Sequence, residues 1–225
     1  MIAKLVNAPL RPYAVRLVGL CLIWAFFVLT GAAGAMAADQ EHRLVQLRSG
    51  SLDQRREAAL WLGEHATSAA VPSLIESLRD PDGMVRKRSE NAVWSIWMRS
   101  GDPEVDRHMM EGSQSLQQGL YDAALRAFDK VVAADGEFPE GYNRRATVLY
   151  HMGSYRRSMA DIHETLKRNP YHFGALSGAG LCMLGLKEPA SALHYFERAF
   201  EINPNMPRVE AMIQRLRRLL AEKMT

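Results

Sequence analysis

The stretch Tyr142–Pro170, YNRRATVLYHMGSYRRSMADIHETLKRNP, decides the fold. Its Ile162 recurs as Phe128 and Phe196, 34 positions to either side, and the small residues around it recur in register. Gly112, Ala146 and Gly180 form one column; Ala124, Ser158 and Ala192 form a second, four residues before the Phe/Ile/Phe column. Residues four apart share a helix face, so each large residue stands one turn from a small one. Small residues let two backbones approach and the large one fills the groove between them. Gly119 with Gly153, Tyr121 with Tyr155, and Gly136 with Pro170 and Pro204 repeat at the same spacing, where the chain must turn. Six columns in one register predict an all-α, right-handed solenoid of stacked helix hairpins.

These columns resemble the tetratricopeptide repeat (TPR), and the middle copy, Tyr142 to Pro170, matches its pattern best. The first copy departs from it at His108, Ser115 and Gly136, and the third puts Pro189 where Tyr would stand. Proline is tolerated at the first position of a helix, so the third hairpin remains permitted. The resemblance covers residues 102–204 as three hairpins. It implies that the first helices of successive hairpins line a concave groove for an extended peptide or a partner helix. Carried over by position, the groove residues are Met109, Ser113 and Leu116, then Asn143, Thr147 and Tyr150, then Ser177, Leu181 and Leu184, with Arg144 and Arg145 beside them able to take a carboxylate. The five-residue basic and Asn clamp with which some relatives grip an acidic C-terminus is not reproduced.

Upstream, the period shortens to 31: Leu44 and Leu47 recur as Ile75 and Leu78, and Arg55 and Leu62 as Arg86 and Val93. The stretch SLRDPDGMVRKRSENAVWSIW, residues 77–97, resembles a HEAT-type unit, a helix, a polar turn and an Arg early in the next helix. Asp82 is placed to cap that second helix with its carboxylate. Residues 38–101 therefore read as HEAT-like hairpins, or as degenerate hairpins continuing the main stack. Expected hairpins lie near 40–65, 70–99, 103–134, 139–168 and 173–202. Beyond Pro207 a last helix, within residues 205–225, carries Val209, Met212, Ile213, Leu216, Leu219 and Leu220 on one face and can close the exposed end of the array. Its other face bears Arg208, Arg215, Arg217, Arg218 and Lys223, a polar exterior that a membrane or nucleic acid could also meet; no nucleic-acid partner is expected.

Residues 1–37 differ in kind. Lys4, Arg11 and Arg16 precede the apolar run LVGLCLIWAFFVL, residues 17–29, and small residues ending in Ala35-Met36-Ala37. That order predicts a secretory signal peptide cut after Ala37, because the run is shorter than the roughly 20 residues that span a bilayer. Extended through residue 37, the same segment is long enough for an inner-membrane anchor. The expected location is exported and periplasmic, with the anchored form as alternative.

Cleavage there would leave 25 basic and 25 acidic residues, so the sequence pI of about 8.9 would overstate the charge of the mature chain. Residues 38–140 are net acidic and 141–225 net basic, a polarity that can orient a partner. Cys182 would be the single thiol, without a disulfide partner, and its apolar neighbours predict burial. No GxxxxGK[ST], HExxH, CxxC or GxSxG motif occurs, and no cofactor, metal or catalytic residue is expected. The expected function is a non-catalytic scaffold that holds a protein or peptide partner in the groove. Two alternatives stand beside it: a membrane-anchored assembly factor for an envelope complex, and an enzyme or ligand-binding protein with a site near His108 at the HEAT/TPR junction.

Overall fold

The computed structural model describes residues 34–222; the apolar run 17–29 and most of the 1–37 segment lie outside them, as does Lys223. Among the described residues there is no strand, and the chain is a succession of helices. Helix α1 covers residues 34–49, and α2 is Leu52–His65. The next arm is broken into a 3-10 turn, α3 (Val71–Glu76) and a second 3-10 turn, before α4 (Gly83–Trp97). Pro72 near the start of α3 and Asp80-Pro81 behind it explain the interruption, since proline cannot donate to a helical ladder. Six antiparallel partners follow: α5 (Pro103–Gln117) with α6 (Tyr121–Ala134), α7 (Pro139–His151) with α8 (Tyr155–Arg168), and α9 (Phe173–Gly185) with α10 (Pro189–Ile202). Helix α11 (Pro207–Glu222) packs on α10.

Each hairpin closes on the small/large pair read from the sequence. A Cβ added to Gly112 would lie 2.6 Å from the Phe128 ring, and one added to Gly180 would lie 2.6 Å from the Phe196 ring. The middle hairpin has Ala146 and Ile162 instead, so a larger small residue accompanies a smaller large one. Ser158 adds a buried hydrogen bond, its Oγ donating to the Ala146 carbonyl at 2.8 Å. Between the helices of a hairpin, Gly119 and Gly153 both adopt φ of +72°; Lys187 holds the third place of that column at +63°. A side chain there adopts the left-handed region at some cost, which Gly avoids. Pro189 starts α10, the position where proline is tolerated.

At the chain end, Val209, Ile213 and Leu216 of α11 are buried on the third hairpin, with Met212 partly buried beside them. Leu219, expected in the same stripe, is exposed.

The N-terminal helices neither continue the stack helix by helix nor stand apart from it. Asp82 caps α4, accepting from the amides of Met84 (3.1 Å) and Val85 (3.0 Å), while Arg56 binds the same carboxylate at 2.7 Å. Those bonds hold its carboxyl well below the usual range. Arg55 likewise clasps Asp80 at 2.8 Å. The unit so built folds back across the turns that precede α9 and α11. Arg86 and Glu90 bind Asn205 and Asn203 at 3.0 and 3.1 Å, and Asn205 donates to the Leu78 carbonyl at 2.8 Å. Phe173, the first residue of α9, is buried in the N-terminal core, with Trp94 5.4 Å away edge-on. Gly174 must lack a side chain here: a Cβ would stand 2.6 Å from the Trp94 ring.

Candidate functional site

On α7 the residues Asn143, Thr147 and Tyr150 are spaced four and three apart and share a face. On α9, Ser177 and Leu181 do the same. The fold brings these five together around a cavity of about 280 Å³, closed at its base by Ala146, Ser158 and Ile162 and flanked by His151, Gly174 and Gly178. Gly178 is what leaves room, since a Cβ there would meet only Ile162, at 3.6 Å.

Beneath Asn143 lies a buried polar network. Glu140 is 1% exposed and His172 0%. His172 accepts the Ala175 amide on Nδ1 (3.0 Å), which caps α9 and leaves the ring proton on Nε2 to donate to Glu140 at 2.8 Å. Arg144 donates to the same carboxylate at 2.6 Å, and the Asn143 amide nitrogen is shared between both its oxygens at 3.1 Å. Burial alone would raise the pKa of Glu140, but these donors outweigh it and the carboxyl is held below its ordinary value. Trp97 stacks on the His172 ring, centroids 4.3 Å apart, so the N-terminal unit supports the network from outside.

Other sequence-derived residues fall elsewhere. Met109 is buried in the core of the first hairpin with Val105 and Phe128, because α5 turns its apolar stripe inward, and Leu116 packs against the same core. Ser113 is half-buried and, like Leu116, outside the cavity lining. Leu184 packs into the core of the third hairpin. Arg144 and Arg145 are not available to a carboxylate ligand: the first is held by Glu140, the second by Asp161 and Asp129, at 2.8 and 3.0 Å. His108 on α5 is buried and bonds Glu111, one turn further along the same helix, at 3.1 Å. The junction does contain a cleft, about 490 Å³, but it is lined by Trp97, Phe138, Pro139 and Tyr171, with the buried Glu140–His172 pair behind them, and without His108. Among the described residues no group of three or more His, Cys, Asp and Glu gathers as a metal site would, and no helix is long and apolar enough to cross a membrane.

Sequence reading missed Glu140, His172, Gly174 and Gly178. Glu140 precedes Asn143 and Arg144 by three and four residues, a helical spacing that offered a signal. His172, 32 residues on, offered none.

The tetratricopeptide repeat family pattern matches residues 109–156 and 143–207, and the PBS lyase HEAT-like repeat pattern matches residues 54–80. Among solved structures, the first TPR of Spaghetti (RPAP3), bound to the HSP90 peptide SRMEEVD, superposes with a TM-score of 0.51 at 22% identity, over 52% of this chain and 94% of that one. The Sgt2 TPR domain of Aspergillus fumigatus gives 0.52 at 18% identity, over 54% and 82%. Both are likenesses of fold. In sequence, a small glutamine-rich tetratricopeptide repeat-containing protein of Dictyostelium discoideum is 26% identical over 49% of this chain and 33% of its own length. A TPR repeat-containing protein of Rhizobium etli is 30% identical over 202 residues, 89% of this chain and 90% of that protein. A match of that extent, together with the hairpin geometry, makes the chain a member of the TPR repeat-containing proteins.

Proposed function

We propose that this protein is a non-catalytic adaptor that docks a protein segment against the inner face of its TPR hairpins. The observation that carries the reading is the cavity where Asn143, Thr147, Tyr150, Ser177 and Leu181 converge from two successive hairpins. Tyr150 and Leu181 supply amphipathic and apolar contact area of the kind that dominates interface energetics. The fold is one on which peptides are bound, as SRMEEVD is on the first TPR of Spaghetti (RPAP3). We place the adaptor in the cell envelope, exported by the segment ending at Ala37; a form anchored by that segment would serve assembly of a membrane complex. N-terminal sequencing of protein from membrane and soluble envelope fractions separates these, since the exported form starts near Ala38.

The groove is tested by affinity capture with the wild type and with Tyr150→Ala plus Leu181→Ala, folding of the variant being checked by circular dichroism. A partner retained by the wild type and lost by the variant supports the site. Retention with undiminished affinity excludes it.

A further inference from the structure

The chemistry of the cavity also selects its ligand, an inference that rests on the groove being the docking surface. No Arg or Lys lines the cavity. The two arginines adjoining Asn143 are neutralised from within, by Glu140 and by Asp161 with Asp129. Asn143 is fixed in one orientation: its nitrogen must face Glu140, because the opposite placement would set a carbonyl oxygen against a carboxylate. Its Oδ1 accepts no hydrogen bond among the described residues, so the groove offers at this point an acceptor, backed by a buried anion. The hydroxyl of Ser177 makes no hydrogen bond within the described chain, and neither does that of Tyr150. Beside these neutral groups lies the space left by Gly178, walled by Ile162 and Leu181.

We propose that the groove binds an uncharged segment of a partner protein, which donates a backbone N–H to Asn143 Oδ1 and inserts one bulky apolar side chain into the cavity over Gly178. A ligand carboxylate finds no Arg or Lys in the cavity lining and meets the Asn143 oxygen above Glu140, so acidic tails are disfavoured. An apolar anchor in a desolvated pocket, ringed by neutral hydrogen-bonding groups, is the usual composition of a binding hot spot.

Three synthetic peptides of equal length decide this by fluorescence anisotropy with the full chain. They are an amidated uncharged heptapeptide with a central Phe, its central-Ala counterpart, and SRMEEVD with a free carboxylate. The Phe peptide is expected to bind about tenfold or more tighter than either of the others, the loss expected on removing a hot-spot side chain. Gly178→Leu fills the cavity and should remove that preference. Gly178→Ala, whose Cβ has ordinary van der Waals room at 3.6 Å, should weaken it in part and serves as the folded control. Tightest binding of SRMEEVD, reduced by the Gly178 variants, overturns the ligand assignment and leaves the groove in place. Binding of the Phe peptide unaffected by both variants, or no binding by any of the three, overturns the groove and the assignment together.

Discussion

His172 Nε2 lies 2.8 Å from a carboxylate oxygen of Glu140, and neither side chain is open to water. The pair joins the turn before α9 to the first turn of α7, beneath Asn143 on one side and Trp97 on the other. Its folded-state carboxyl pKa is lowered, so the stability it contributes is present above the ordinary value of about 4.3 and lost as pH falls through the folded value. Glu140→Gln should therefore flatten the decline of unfolding free energy between pH 6 and acid, measured by urea titration. An acid dependence identical to the wild type would exclude a charged Glu140. His172→Ala, which leaves the buried carboxylate short of a partner, should cost about 3 kcal/mol or more at pH 7.

The Gly/Phe and Ala/Ile alternation predicts compensation. Gly180→Ala should destabilise the protein by about 1–3 kcal/mol through contact with Phe196, although Ala is the better helix former. Phe196→Ile added to it reproduces the pair present in the middle hairpin. The double variant should then be more stable than the sum of the single effects by about 1 kcal/mol, read from a double-mutant cycle. Strict additivity would mean that the two positions do not share the space between the helices.

Cys182 is fully buried, with Sγ 3.2 Å from Ser158 Oγ, and burial raises its thiol pKa despite that bond. A thiol reagent should leave it unmodified in the native protein and label it when the chain unfolds, as read by peptide mass mapping. Labelling at the rate of a free thiol under native conditions would contradict the burial.

Trp97→Ala removes the ring stacked on His172 and should cost about 3–5 kcal/mol. Hydrogen exchange gives the sharper reading. Protection should fall in α4 and, equally, at residues 172–176, which are remote in sequence but packed on it. A loss confined to α4 would show that the N-terminal unit opens alone.

The hairpins were legible because their pairing is local: Gly112 meets Phe128 within one hairpin, and the same spacing is written three times. Asp82 was legible for the same reason, since a cap acts on amides two and three residues away. Long-range packing was not. The 31-residue period shows that α2 and α4 have apolar faces, but not that Trp94 and Trp97 turn toward His172 and Phe173. The groove followed the same division. The resemblance to the TPR named Asn143, Thr147, Tyr150, Ser177 and Leu181 as groove residues, and the fold sets them around one cavity, whereas Arg144 and Arg145 are held by Glu140, Asp129 and Asp161, partners the resemblance does not include. Met109 was misplaced because a helical period does not reveal which of two neighbouring stripes faces inward.

A solenoid whose units touch only their neighbours can gain or lose a repeat during evolution and keep its shape. The strap formed by Arg86, Glu90 and Leu78 on Asn203 and Asn205 removes that freedom here, because it spans a fixed number of hairpins between its two ends. Inserting or excising a 34-residue unit between Gly136 and Asn203 would carry the clasp away from its partner. The clasp thus ties the reach of the N-terminal helices to the length of the three hairpins between its ends.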